Sequence, residues 1–444
     1  MKRIILAIFI LVLMCMQVNA KSVKSNINDI LNQSGIDKNS VSVSVKSVEN
    51  GKVIYSHNDK ILMHPASVQK MLILPAIVEV LGDDYEFETS IYSRGEDSYL
   101  IKLGADPYLS SSDLKRLVRN INSKKVKQIY IDDSLLEGKS WGEGWQWDDD
   151  LNISMPKFNS YNLDGNILKF TVMPTTTGDK TFIINPSKYP LVFINNVITS
   201  DKNQVNVSRE PLSGFNTITL DGKVVSPYQV KIPVNNLKQY FDFKLTQALG
   251  DRNIYLKTPY VYSPAANKDV LLEKQVHPMS TAISDVLLNS NNMVAEILSK
   301  IAGAKVYGLS GTDEKGLKVV EDFYKKNGID TSRVRFVDAS GVSKNNLADA
   351  DFVTEYLVKM KDNKTLASMA VPGVGTLSDR MIPLGDNLKA KTGTLSDISS
   401  IAGYLTTKSG HKYAFCIITN DPKSSSSDKK SLEDYLLREL YLRI

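Results

Sequence analysis

Ser67 and Lys70 stand three residues apart at the head of a long apolar run, and this pair constrains the chain more than any other feature. Met71, Leu72, Ile73, Leu74, Ala76, Ile77, Val78, Val80 and Leu81 follow before Gly82, which predicts a helix over that stretch. Pro75 falls inside it and predicts a kink. Residues i and i+3 share a helix face. Pro65-Ala66 before the serine put Ser67 in the first turn. Unpaired N–H groups and the positive helix end there favour a developing negative charge. A serine hydroxyl is a weak nucleophile and needs a base. Lys70 can be that base only as the neutral amine, and burial or a second nearby cation would lower its pKa. Taken alone, such a pair is common on solvated helix faces.

Two later motifs change its weight. Ser290-Asn291-Asn292 fits S-x-N, and Lys391-Thr392-Gly393-Thr394 fits K-T-G followed by threonine. Alone, Ser290 reads as a helix cap and Lys391 as a solvated lysine on a hairpin-edge strand. The three motifs in this order are the signature of penicillin-binding proteins and serine β-lactamases, and the chain resembles that superfamily. Ser67 and Ser290 lie about 220 residues apart, and Ser290 and Lys391 about 100. So long an insertion between the first two motifs resembles the D-alanyl-D-alanine carboxypeptidase/endopeptidase family, the class C low-molecular-mass penicillin-binding proteins. Pro65 to Lys70 is similar to that family's P-A-S-x-x-K, and Ser290 to Glu296 to its S-x-N-x-x-A-E. Asp338-Ala339-Ser340-Gly341-Val342-Ser343 is similar to D-G-S-G-L-S, with Ala339 for a glycine. Gly375-Thr376-Leu377 precedes the third motif, and Trp145-Gln146-Trp147-Asp148-Asp149 looks like the G-W-x-W-D-D segment. The likeness spans nearly the whole chain beyond the leader and is weakest in residues 169–236.

The resemblance implies an α+β fold: a β-lactamase/transpeptidase-like domain, with an antiparallel sheet flanked by helices, and two nested, largely β inserted domains. The domain division it suggests is a signal peptide at 1–20, the serine peptidase domain at 21–84 and 275–444, a second domain at 85–168 and 237–274, and a nested all-β domain at 169–236. It implies acyl transfer from the D-Ala-D-Ala end of peptidoglycan stem peptides, with Ser67 as nucleophile and Lys70 as base. Ser290 would relay a proton to the leaving D-alanine, and Lys391 would hold positive charge near it. Asn292 would bind the substrate amide. Thr392, Gly393 and Thr394 would line the carboxylate site, and the N–H groups of Ser67 and Thr394 would form the oxyanion hole. β-Lactams would acylate the same serine. The family places a pocket for the third stem residue on the inserted segment, which here points to Trp145 and Asp148; Ile153 stands where relatives carry an aromatic. Two rival functions are a serine β-lactamase and a non-catalytic wall- or penicillin-binding receptor. The long insertion argues against the first and the intact motifs against the second.

The rest of the sequence sets limits. At 444 residues the chain has room for roughly three domains. Lys2-Arg3, the apolar run Ile4–Met16 and the small residues Val18 and Ala20 predict a secretory leader cleaved after Ala20, hence export across the inner membrane to the periplasm. The formal net charge of +5 loses two with that leader, too little to argue for nucleic acid and compatible with only loose membrane association. Cys15 would leave with the leader, so Cys416 has no partner within the chain and reads as a buried thiol. His57, His64, His277 and His411 are dispersed without metal-ligand spacing, so no metal is expected, and the acyl transfer that the resemblance implies needs no other cofactor. Val41–Val48 and Lys52–Ser56 flank Asn50-Gly51 and predict a hairpin. Helices are predicted at 112–122, 235–249, 279–288, 293–301, 316–327 and 428–442, and strands at 126–131, 388–395, 401–406 and 413–419. Residues 170–234 predict a small all-β module. Asp148-Asp149-Asp150 reads as a solvated loop.

Overall fold

The computed structural model describes residues 23–210 and 216–444. The expected leader, with Cys15 and the cleavage point after Ala20, lies outside the described residues. In chain order the longer elements are α1 (Val23–Gln33), β1 (Val41–Ser47), β2 (Val53–His57), α2 (Gln69–Leu81), β3 (Glu86–Ser93), β4 (Ser98–Lys102), α3 (Ser111–Val118) and β5 (Gln128–Asp132). There follow β6 (Ile167–Met173), β7 (Phe182–Ile184), β8 (Val192–Thr199), β9 (Gln204–Ser208), β10 (Thr217–Val224), β11 (Tyr228–Pro233), α4 (Leu237–Gly250), β12 (Val261–Tyr262) and β13 (Val270–Pro278). The last are α5 (Met279–Leu288), α6 (Asn292–Tyr307), α7 (Asp313–Lys326), α8 (Ala350–Lys359), β14 (Leu388–Leu395), β15 (Ile398–Thr406), β16 (Lys412–Asn420) and α9 (Ser426–Arg443).

These elements fall into two compact units, and the class is α+β as expected. The first comprises residues 23–63, 348–361 and 370–444. Its core is a five-stranded antiparallel sheet in the order β14-β15-β16-β1-β2. The Val-Ser alternation of β1 suits a pleated strand, yet both of its faces are buried. Helix α8 packs on it, and Ser44 Oγ hydrogen-bonds Thr354 Oγ1 at 2.8 Å, so the small polar side chains are satisfied inside. Lys46 reaches Asp351 at 2.7 Å. Helix α9 packs on β15 and α1. Ser425 caps α9 through a reciprocal pair with Asp428. Cys416 is fully buried in β16, and burial pushes its thiol well above its ordinary pKa.

The second unit comprises residues 64–347 and 362–369. Helix α2 packs against α6 and α7. Eleven of its residues are buried, which explains an apolar composition without a polar stripe. Pro75 lies within α2 and does not end it. Gly82 ends it at φ 95°, a conformation that favours glycine. Helix α3 packs on a five-stranded sheet, β12-β5-β4-β3-β13, and α4 packs on α3. Among the described residues of 167–233 the longer elements are all strands, in two three-stranded sheets, β8-β10-β9 and β11-β6-β7. Strand β6 shows why: Leu168, Phe170 and Val172 are buried at every second position, the period of a half-covered strand.

Asp150 departs from the solvated loop read from the three adjacent carboxylates. It is buried, with Arg209 Nε donating to Oδ2 at 2.7 Å and Lys157 Nζ 3.5 Å from Oδ1. Arg209 also donates to the carbonyls of Asp150 and Pro233. The third aspartate thus anchors its loop to the β module, while Asp148 is exposed.

Candidate active site

Ser67 lies in a short 3-10 turn, Ala66–Val68, that runs directly into α2. It therefore stands just before the α-helix rather than in its first turn. Ala66 takes a positive φ of 46°, rare for a residue with a Cβ. Between buried Ala66 and buried Val68, Ser67 is half-buried.

Lys70 is fully buried. Its Nζ lies 2.9 Å from Ser67 Oγ, 2.6 Å from Asn292 Oδ1 and 2.6 Å from the Ser340 carbonyl. Burial lowers its pKa to about 7, against the opposing charges of Asp338 and Glu296. Burial, one of the two causes named from the sequence, is the leading one. A lysine that is half neutral near pH 7 and touches a serine hydroxyl can accept that hydroxyl's proton.

Ser290 lies on the connection between α5 and α6, as the pattern required. Its φ is 62°. The cap of α6 is the next residue: Asn291 Oδ1 accepts from the Val294 N–H. Ser290 is thereby spared the capping role and stands half-buried beside Asn292. Asn292 is held at both ends of its amide. Oδ1 accepts from Lys70, and Nδ2 donates to the Ser154 carbonyl at 2.9 Å.

Two buried carboxylates hold the residues around Lys70. Both Asp338 carboxylate oxygens are saturated. Oδ1 accepts from the Gly341 N–H and Asn346 Nδ2, and Oδ2 from the N–H groups of Val342 and Ser343, Ser340 Oγ and Trp145 Nε1. Glu296 accepts from the N–H groups of Ala339 and Ser340. Burial raises its pKa to about 8, with the charge of Asp338 adding to the rise. The Ser340 carbonyl on Lys70 is fixed by this turn. Gly341 closes it at φ 78°, where a Cβ would lie 2.2 Å from the Ala66 carbonyl oxygen.

Trp145 and Asp148 are placed apart in character. Trp145 is buried, its indole N–H donates to Asp338 at 2.8 Å, and its ring packs edge-on to Trp141 and Phe158. Asp148 is exposed on the 3-10 turn Trp147–Leu151. The indole thus braces the Asp338 turn.

Lys391, Thr392, Gly393 and Thr394 lie on β14, the edge strand of the sheet of the first unit. Lys391 is fully buried rather than a solvated edge lysine, and its Nζ donates to the Thr392 carbonyl at 2.8 Å. Thr394 is exposed. Opposite this strand Gly403 is required by space, since a Cβ would lie 2.0 Å from the Lys389 carbonyl.

A family model described as the D-Ala-D-Ala carboxypeptidase 3 (S13) family matches residues 23–439. The chain belongs to this family. It is a serine-type D-Ala-D-Ala carboxypeptidase, a penicillin-binding hydrolase acting on peptidoglycan and hence an enzyme of the cell envelope. It is 24% identical over 450 residues to D-alanyl-D-alanine carboxypeptidase DacB of Haemophilus influenzae, covering 94% of each chain. It is 26% identical over 437 residues to the D-alanyl-D-alanine carboxypeptidase of an Actinomadura species, covering 89% of this chain and 80% of that one. The crystal structure of penicillin binding protein 4 from H. influenzae shares the fold, with a TM-score of 0.83 at 23% identity over 94% of this chain and 99% of that chain. Another crystal structure of that protein holds a β-lactam.

Sequence reasoning on this carboxypeptidase did not assign roles to Asp338, Glu296 or His64. A signal was available for Glu296, a lone carboxylate inside the apolar run Met293–Leu298. None existed for the contact of Asp338 with Trp145, 193 residues away, although its backbone partners lie in its own turn.

Proposed function

We propose that this carboxypeptidase cleaves the terminal D-Ala-D-Ala bond of peptidoglycan stem peptides through an ester on Ser67. The observation that carries this reading is the 2.9 Å approach of Lys70 Nζ to Ser67 Oγ, with the amine buried and its pKa near 7. Ser67 Oγ attacks the carbonyl carbon of the penultimate D-alanine while its proton passes to neutral Lys70. Ser290 relays the proton taken up by Lys70 to the leaving D-alanine nitrogen as the C–N bond breaks. Water then hydrolyses the ester. With a β-lactam the C–N bond that breaks lies in the ring, so the leaving nitrogen stays tethered and the ester lasts. Asn292 holds the substrate amide. Lys391 supplies positive charge, and Thr392, Gly393 and Thr394 take the terminal carboxylate; the motif match supports these roles. The three-domain division read from the sequence, cleavage of a leader after Ala20 and a periplasmic location belong to the same proposal.

The test is incubation of the whole protein with a fluorescent penicillin and, separately, with a D-Ala-D-Ala pentapeptide. Lasting label together with D-alanine release is the expected result. Label lost within seconds would identify a β-lactamase, and label without D-alanine release a receptor. The Ser67→Ala variant is expected to fold and to carry no label; label on it would remove Ser67 from the nucleophile's role.

Asp148 is retained as the reader of the third stem residue's amine. Its exposure leaves the carboxylate available, although Trp145 faces elsewhere. The Asp148→Asn variant is expected to lose on the order of tenfold in kcat/KM, about 1.4 kcal/mol, on a peptide with a free diaminopimelyl amine. A peptide with a neutral aliphatic third residue should be unaffected. Equal effects on both peptides would leave Asp148 as loop surface.

A further inference from the structure

We infer that His64 is a positioning residue for acyl transfer, whose neutral imidazole ties the turn carrying Ser67 to the Asp338–Ser343 turn. The inference rests on the acyl-transfer reading above. His64 is buried. The Ala66 N–H donates to its Nδ1 at 3.0 Å, and its Nε2 lies 2.7 Å from the Ser343 carbonyl. These partners fix the tautomer. A backbone N–H can only donate, so Nδ1 must be bare; a carbonyl can only accept, so Nε2 carries the hydrogen.

What the ring holds is a strained part of the site. Ala66 sits at a positive φ, and its peptide is gripped from both sides, by His64 on its N–H and by Gly341 packed on its carbonyl oxygen. The next residue is the nucleophile. On the other side, Ser343 closes the turn whose Ser340 carbonyl bonds Lys70. One ring therefore sets the spacing between the nucleophile's backbone and the loop that orients its base. Protonation of Nδ1 would set N–H against N–H and release the Ala66 peptide. The charges that bear on the ring are Asp338, which favours its protonation, and Lys344, which opposes it. Burial dominates both and keeps the pKa below the ordinary histidine value. Acid should therefore act at two points: on Lys70, which must be neutral to take the proton, and on His64, which must be neutral to hold the turn.

The experiment measures acylation of the whole protein by a fluorescent penicillin across the acid range, separating the acylation rate constant from the pre-acylation binding constant. Wild type is compared with His64→Leu and His64→Asn. Asparagine can present Oδ1 to the Ala66 N–H in place of Nδ1. The inference expects His64→Leu to lose on the order of tenfold or more in the rate constant, with binding little changed. His64→Asn should recover most of that loss. Its acid limb should follow a single proton, where the wild-type limb follows two. If His64→Leu does not fold, the acid limb of His64→Asn decides alone. Wild-type acylation by His64→Leu, no rescue by asparagine, or a single-proton limb in wild type would each overturn the inference. Failure of wild type to acylate at all would overturn the acyl-transfer reading and this inference with it.

Discussion

Replacing Lys70 with arginine is expected to slow acylation by penicillin by about a hundred- to ten-thousandfold, the usual contribution of a general base. Arginine keeps a positive charge but is not deprotonated in proteins. It can still reach the Ser340 carbonyl and Asn292 Oδ1, the partners that hold Lys70. What it cannot do is take the Ser67 proton. The same argument fixes the sign of the pH dependence. In the proposed mechanism Lys70 acts as the neutral amine, and its pKa is brought to about 7, so acylation should rise with pH through that value and fall on the acid side. For folding, the sign follows from linkage. The folded pKa lies below that of an unfolded lysine, so Lys70 favours the folded state most above the unfolded value. That contribution is lost as pH falls through about 7. Stopped-flow labelling of wild type and Lys70→Arg checks the rate. Labelling by Lys70→Arg at the wild-type rate would exclude the lysine as base.

The Asp338→Asn substitution is expected to cost about 3 kcal/mol or more of stability in the second unit, a large effect for a nearly isosteric change. Both carboxylate oxygens accept, and their partners are donors: the N–H groups of Gly341, Val342 and Ser343, the Trp145 indole, the Asn346 and Gln69 amides and Ser340 Oγ. Whichever way the asparagine turns, its NH2 meets donors and leaves them unpaired in the interior, where each lost bond costs about 1–3 kcal/mol. Urea unfolding followed by tryptophan fluorescence suits the measurement, since Trp145 touches the site of change. A second readout belongs to catalysis. The Asp338 charge raises the pKa of Lys70, so neutralising it should move the acid limb of acylation to lower pH. A shift toward higher pH, or unchanged stability, would show that the aspartate is not the charged hub of this turn.

Several features followed from the sequence because they depend on neighbours along the chain. The hairpin of β1 and β2, helices α5 and α9 and the strand carrying Lys391 lie within a few residues of the patterns that predicted them. Ser67 and Lys70 meet because three residues on a helical path place two side chains together. The strands read for residues 170–234 followed from a composition rich in Thr, Asn and Val and from frequent turn residues. Local pattern also misled. Three adjacent aspartates read as one solvated loop, yet Asp150 is buried because Arg209, 59 residues later, pairs with it.

By itself, then, the sequence determined the order of the motifs, the class of the elements, and the adjacency of Ser67 and Lys70, all consequences of spacing and periodicity. Only the tertiary structure decided what those groups feel. The pKa of Lys70 is lowered by burial, which no local pattern measures. Trp145 braces Asp338 from 193 residues away instead of pairing with Asp148. His64 reaches Ser343 across 279 residues, a contact that leaves no mark on the residues beside it. Hydrogen bonding and burial are set by what folds back onto a residue, and the chain's neighbours cannot report that.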